Sequence, residues 1–192
     1  MNPLIQLKKS APLFVIALLL TCFALLPRAQ AVVPPPDGGY PNRNTAEGDF
    51  ALFSLTTGSN NTAIGFQALF NNTIGTLNTA NGFGALFSNT TAPFNTATGA
   101  QALYSNTIGG ENTANGVQAL FNNTIGTLNT ANGSFALYGN TSGGYNTANG
   151  VQALYLNRTG DFNTATGVSA LIGNTTGNSN TAIGVVVLLN DG

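Results

Sequence analysis

A parallel β-solenoid is the fold class that these 192 residues predict, and three observations predict it. The triplet Asn-Thr-Ala begins at Asn44, Asn61, Asn78, Asn95, Asn112, Asn129, Asn146, Asn163 and Asn180, a 17-residue period kept nine times in one register. A fixed period of this kind is the mark of a solenoid. Each triplet is followed, two residues on, by Gly (Gly48, Gly65, Gly82, Gly99, Gly116, Gly133, Gly150, Gly167, Gly184), and four residues later by Leu, from Leu52 to Leu188. Helices fail the third test: each unit carries Gly, Asn and Thr residues that are poor in helix interiors, and a two-helix repeat needs about twice the length. At roughly 3.3 Å per extended residue, one unit allows two or three short strands joined by tight turns, with coils about 4.8 Å apart and an array about 40 Å long.

Residues 1–31 precede this array and read as a secretory signal peptide. Lys8 and Lys9 stand before an apolar stretch from Ala11 to Leu26, and Ala29-Gln30-Ala31 has the small-x-small form of a cleavage site. A retained membrane anchor is the weaker reading, because Thr21, Cys22, Pro27 and Arg28 interrupt or close the stretch. Lipidation at Cys22 is weaker still, since apolar residues continue beyond it. Removal of this segment takes the only Cys with it, so disulfides cannot stabilise the mature chain. Arg43 and Arg158 are then the only cations against six acids, which leaves almost nothing to meet a phosphate backbone and excludes nucleic acid as a partner. The mature chain is expected not to span a membrane.

Residues 32–43, "VVPPPDGGYPNR", form a Pro/Gly linker whose prolines favour extended backbone and cannot donate to a ladder. Residues 44–192 are the array. Numbering the first Asn of each unit as position 1, position 4 varies (Glu47, Ile64, Asn81, Thr98, Asn115) and is expected to face water with the Thr at position 2, while Ala faces inward. The Asn at position 1 (Asn61, Asn78, Asn95, Asn112, Asn129, Asn146, Asn163) is expected to stack along the rod and to bond turn carbonyls. Gly at position 5 (Gly65, Gly82, Gly99, Gly116, Gly133, Gly150, Gly167) either turns the chain with a positive φ or admits a neighbouring backbone. Leu at position 9 (Leu69, Leu86, Leu103, Leu120, Leu137, Leu154, Leu171) is the expected core ladder. Position 10 is aromatic in most units (Phe53, Phe70, Phe87, Tyr104, Phe121, Tyr138, Tyr155). Either a corner turns it inward beside the Leu, or it forms an exposed stripe large enough to be an interface. The last unit, "NTAIGVVVLLNDG", is apolar from Val185 to Leu189 and shows no polar cap, so it either stacks on something or continues in a longer chain.

Chemistry-bearing patterns are few. The absence of His removes triads that need it, no Lys follows a Gly-rich stretch to make a phosphate loop, and Gly82-Phe83-Gly84 belongs to the repeat. No cofactor or metal is expected; Glu47 and Asp49, with Asp37 near in sequence, read as a solvated charge cluster. Glycosylation acceptors at Asn60, Asn71, Asn89, Asn122, Asn132, Asn140, Asn157 and Asn174 follow from the Asn/Thr richness. Thr recurs at position 2 (Thr45 to Thr181) and position 13 (Thr56, Thr73, Thr90, Thr107, Thr124, Thr141, Thr175). Such ladders resemble the Thr arrays of some ice-binding proteins, although Thr-x-Thr occurs only at 96–98 and 164–166. Hydroxyl ladders that stabilise the sheet are the plainer reading.

The strings "NTAIG" at Asn61–Gly65 and Asn180–Gly184 resemble the head repeats of trimeric autotransporter adhesins. The whole layout, signal peptide then "VVPPPDGGYP" then N-T-A-x-G units, is similar to secreted bacterial repeat proteins that often end in a tail-fibre-type intramolecular chaperone domain. Both resemblances imply a trimeric, fibrous surface protein. Neither carries over anchoring or trimerisation, because these residues include no coiled-coil stalk, outer-membrane barrel segment or chaperone domain. The expectation is a non-enzymatic extracellular structural or adhesin-like repeat protein, a homo-oligomer with a trimer as the expected state. The alternatives are a module that binds glycan or ice through its Thr/Asn ladders, and a phage-type tail fibre fragment.

Overall fold

Among the described residues, strands form only where the Asn-Thr-Ala triplets stand. A computed structural model of the protein describes residues 40–187, and in it the strands are β1 (Thr45–Glu47), β2 (Thr62–Ile64), β3 (Thr79–Asn81), β4 (Thr96–Thr98), β5 (Thr113–Asn115), β6 (Thr130–Asn132), β7 (Thr147–Asn149), β8 (Thr164–Thr166) and β9 (Thr181–Ile183). They form one parallel sheet in chain order, with Thr over Thr and Ala over Ala at every step. One unit is therefore one coil of an all-β solenoid. Alternation along each strand turns the Ala inward and leaves position 4 largely to solvent.

Two or three strands per coil were expected from length, and the structure has one. The reason is a set of left-handed residues that are not Gly. Position 7 (Gln67, Gln101, Gln118), position 9 (all Leu from Leu52 to Leu171) and position 17 (Leu77, Phe94, Glu111, Leu128) have φ between 51° and 60°. Each turns the chain and stops extension beyond the triplet. Left-handed backbone costs a residue with a side chain about 1–2 kcal/mol, and nothing local in Leu or Gln favours it. Hydrogen bonds between coils hold these turns instead. Leu69 N–H donates to Ala85 O, and Asn71 N–H to Phe87 O, both at 3.0 Å, on the following coil. Gln101 N–H reaches back to Phe83 O at 2.7 Å. The turns are thus laddered along the axis as regularly as the strands.

Inside, each coil is narrow. Ala at positions 3 and 8 and Leu at position 9 make one continuous apolar column, and the seven leucines from Leu69 to Leu171 are fully buried. Burying one such side chain contributes about 1.5–3 kcal/mol, so the column sums many small gains rather than building one thick core. Leu188 and Leu189 lie outside the described residues.

At the first coil the chain covers its own edge. Pro41–Arg43 form a 3-10 turn, Tyr40 bridges to Asn44 and packs on the core, and Asn60 N–H donates to Asn42 O at 3.0 Å. The expected signal peptide and most of the linker lie outside the described residues. Among the described residues no helix is long and apolar enough to cross a membrane.

Candidate functional surfaces

Two asparagine ladders run through the solenoid. At position 1 each Asn accepts, through Oδ1, the backbone N–H of the Asn one coil on, as from Asn78 to Asn61 at 3.0 Å and from Asn129 to Asn112 at 3.0 Å. Its Nδ2 donates to the carbonyl of position 15 in its own coil, at 2.9 Å from Asn61 to Gly75 and 2.8 Å from Asn146 to Gly160. The expected stacking and turn-carbonyl bonding are both present. A second ladder, at position 12, was not singled out from the sequence. Asn72, Asn89, Asn106, Asn123, Asn140, Asn157 and Asn174 are fully buried. Each of the six from Asn89 onward donates to the Oδ1 of the one before it at 2.8–3.0 Å. The same Nδ2 also donates to the position 15 carbonyl, so that one oxygen ties both sides of the coil together. Its signal was the N-T pair beginning at position 12, hidden because several of those Asn also fit the glycosylation pattern. Burial removes Asn89, Asn140, Asn157 and Asn174 as acceptors in the folded chain, and among the described residues the last Oδ1, on Asn174, has no donor.

The aromatic column does not turn inward. Phe70, Phe87, Tyr104, Phe121, Tyr138 and Tyr155 are half-buried outside the Leu column, and Phe53 at the first coil is exposed. The corner reading fails because position 9 already fills the one place for a large apolar side chain in each coil. The rings instead cover one another, with centroids 4.9–5.3 Å apart and planes within 6–11° from Phe53 to Tyr155. Faces are spent on neighbours, and ring edges point out. Phe50, Phe66 and Phe83 extend this apolar strip beside its first coils.

Between the aromatic column and position 13 lies an open groove of about 480 Å³, floored by Ser105, Asn122, Gly139 and Leu156 and flanked by Tyr138, Tyr155 and Arg158. Ser105 and Gly139 leave room for it at position 11. The position 13 hydroxyls on its far wall are already engaged: Thr56, Thr73, Thr90, Thr107, Thr124 and Thr141 each donate to the position 13 carbonyl of the next coil at 2.9–3.2 Å. The position 2 hydroxyls differ, for none from Thr62 to Thr164 has a partner among the described residues. The two Thr ladders, alike in sequence, are therefore unlike in work. Thr124→Val is expected to lower stability by about 1 kcal/mol, the net worth of one hydrogen bond, whereas Thr113→Val is expected to leave it within about 0.5 kcal/mol. Urea midpoints of the two variants measure the contrast, and equal losses would contradict it.

No cluster of three or more His, Cys, Asp or Glu that could hold a metal occurs among the described residues. At position 5, Gly65 to Gly167 combine a φ of 125–143° with close approach to the next coil, so both expected reasons for Gly apply. Compared with known proteins, the chain matches no family model, no curated protein and no solved structure.

Proposed function

We propose that the protein is a non-enzymatic extracellular fibre or adhesin-like spacer, exported by residues 1–31 and assembled from copies packed side by side. The observation that carries this reading is the aromatic ladder. A strip of ring edges runs along the axis from Phe53 to Tyr155, with Phe66 and Phe83 exposed beside it. Contiguous apolar surface of that length on a soluble chain marks a protein interface. A rod built from near-identical coils offers the same strip on every copy. The nearly charge-free array offers little else for association: Glu111, Arg158 and Asp161 are the only charged residues from 50 to 187.

Sedimentation equilibrium of the exported chain, over a wide concentration range, tests this. A trimer is expected, with Tyr104→Lys/Phe121→Lys dissociating to monomers while the far-ultraviolet circular dichroism stays β-rich. A monomer at every concentration would overturn the reading. The groove beside Tyr138 and Tyr155 favours a second reading, capture of an extended glycan. The ring faces are covered by their neighbours and cannot stack on sugars, so this reading rests on Ser105, Asn122 and Arg158 along the groove. Retention on polysaccharide columns would support it.

A further inference from the structure

We infer that the outward face of the sheet from β3 to β8 binds ice. Position 2 is Thr in all six of these strands, and position 4 is Asn81, Thr98, Asn115, Asn132, Asn149 and Thr166. Two columns of neutral donors and acceptors therefore stand side by side over six coils, with no charge and no aliphatic side chain between them. Ile64 and Ile183 bound the array at β2 and β9.

Three features point to a crystalline water surface as the ligand. First, the hydroxyls of position 2 have no partner among the described residues, in contrast to those of position 13, so their hydrogen bonds are available to water. Second, the position 4 amides hold a fixed direction along the axis: Asn115 Nδ2 donates to Asn132 Oδ1 and Asn132 Nδ2 to Asn149 Oδ1, each at 2.9 Å. Such bonds restrict the rotamers that would otherwise scramble a water layer. Third, the strands stack in strict parallel register, position 2 over position 2 and position 4 over position 4 from β3 to β8. The two columns therefore repeat at the coil spacing of about 4.8 Å, close to the short repeat of hexagonal ice. A neutral solid also needs a neutral surface, and β3 to β8 carry no charged residue. No residue of positions 2 or 4 belongs to the aromatic column or lines the groove beside it.

The test is freezing-point hysteresis and uptake into a growing ice hemisphere, with the exported full chain. Hysteresis and uptake are expected for the parent. Thr113→Tyr/Thr130→Tyr is expected to lose most of both, and Ile108→Tyr, on an exposed turn, to keep them. Circular dichroism checks that each variant folds. If the double Tyr variant does not, Asn115→Asp/Asn132→Asp, which sets charge on the same face, decides with the same expected loss. No hysteresis in the parent, hysteresis unchanged by the face variants, or adsorption to crystalline cellulose in place of ice would each overturn the proposal. Sedimentation reads the association of copies separately, so either conclusion can fail alone.

Discussion

Gly116→Ala is expected to unfold the array around the fifth strand, lowering stability by more than about 3 kcal/mol. A Cβ on Gly116 would lie 2.6 Å from both the carbonyl carbon and the oxygen of Gly133, on the next coil. Both are backbone atoms held by the ladder, since Gly133 N–H donates to Asn115 O at 2.8 Å, so no side chain can swing away to make room. The φ of 139° adds a second penalty that any L-residue other than Gly would feel. Relief requires the coils to separate, which breaks the hydrogen bonds that hold the left-handed turns. Loss of the cooperative urea transition, or a midpoint far below the parent's, is the expected readout; a midpoint within error of the parent would refute the close-approach account.

Asn123→Asp is expected to be comparably damaging at neutral pH and milder in acid. Asn123 is fully buried, donating through Nδ2 to Asn106 Oδ1 at 2.8 Å and to Gly126 O at 3.0 Å, and accepting from Asn140 Nδ2 at 2.8 Å. A carboxylate retains the acceptor and turns both donated bonds into facing oxygens. Orphaned buried groups cost about 1–3 kcal/mol each, and a buried unpaired charge more, so a loss of about 4 kcal/mol or more is expected at pH 7. Burial and the two facing oxygens disfavour the ionised form, which raises the folded-state pKa of the new carboxyl above its unfolded value of about 3.9. The folded chain then holds the proton more tightly than the unfolded one. The ionisation penalty is present above the unfolded pKa, grows until the folded pKa is passed, and vanishes below the unfolded value. Urea midpoints at pH 7 and near pH 3.5, each against the parent, should therefore converge in acid; a pH-independent deficit would contradict the ladder's polarity.

These two variants touch residues that differed greatly in legibility. Gly116 could be read directly, because a Gly invariant through nine units in fixed phase has few physical explanations, and both available ones apply. Asn112 and its column were also legible as a polar ladder, since an amide repeated at one phase can pair with its own copies. Asn123 was harder. Its column carries the same residue in seven coils, yet it starts with Leu55 in the first coil, and glycosylation patterns crossed it. A pattern that describes accessible Asn cannot reveal that an Asn is inside.

What the amino-acid sequence determined by itself is the periodic part of the structure. Strict 17-residue spacing dictates equal coils in register; the Asn-Thr-Ala triplet dictates a strand with Ala inward; Leu at position 9 dictates the apolar column. Each of these follows from a residue's own preference repeated at one phase. Tertiary structure alone decided the rest. Leu and Gln at positions 9 and 7 adopt left-handed backbone against their local preference, because hydrogen bonds to the coils on either side outweigh a cost of about 1–2 kcal/mol per residue. That turn sets which side of the coil each later residue occupies. It places the aromatic rings outside, where only neighbours can cover their faces, and it engages one Thr ladder in the stack while leaving the other free. Sequence phase records that residues are equivalent from coil to coil, but the direction in which they point depends on turns that no single coil would hold alone.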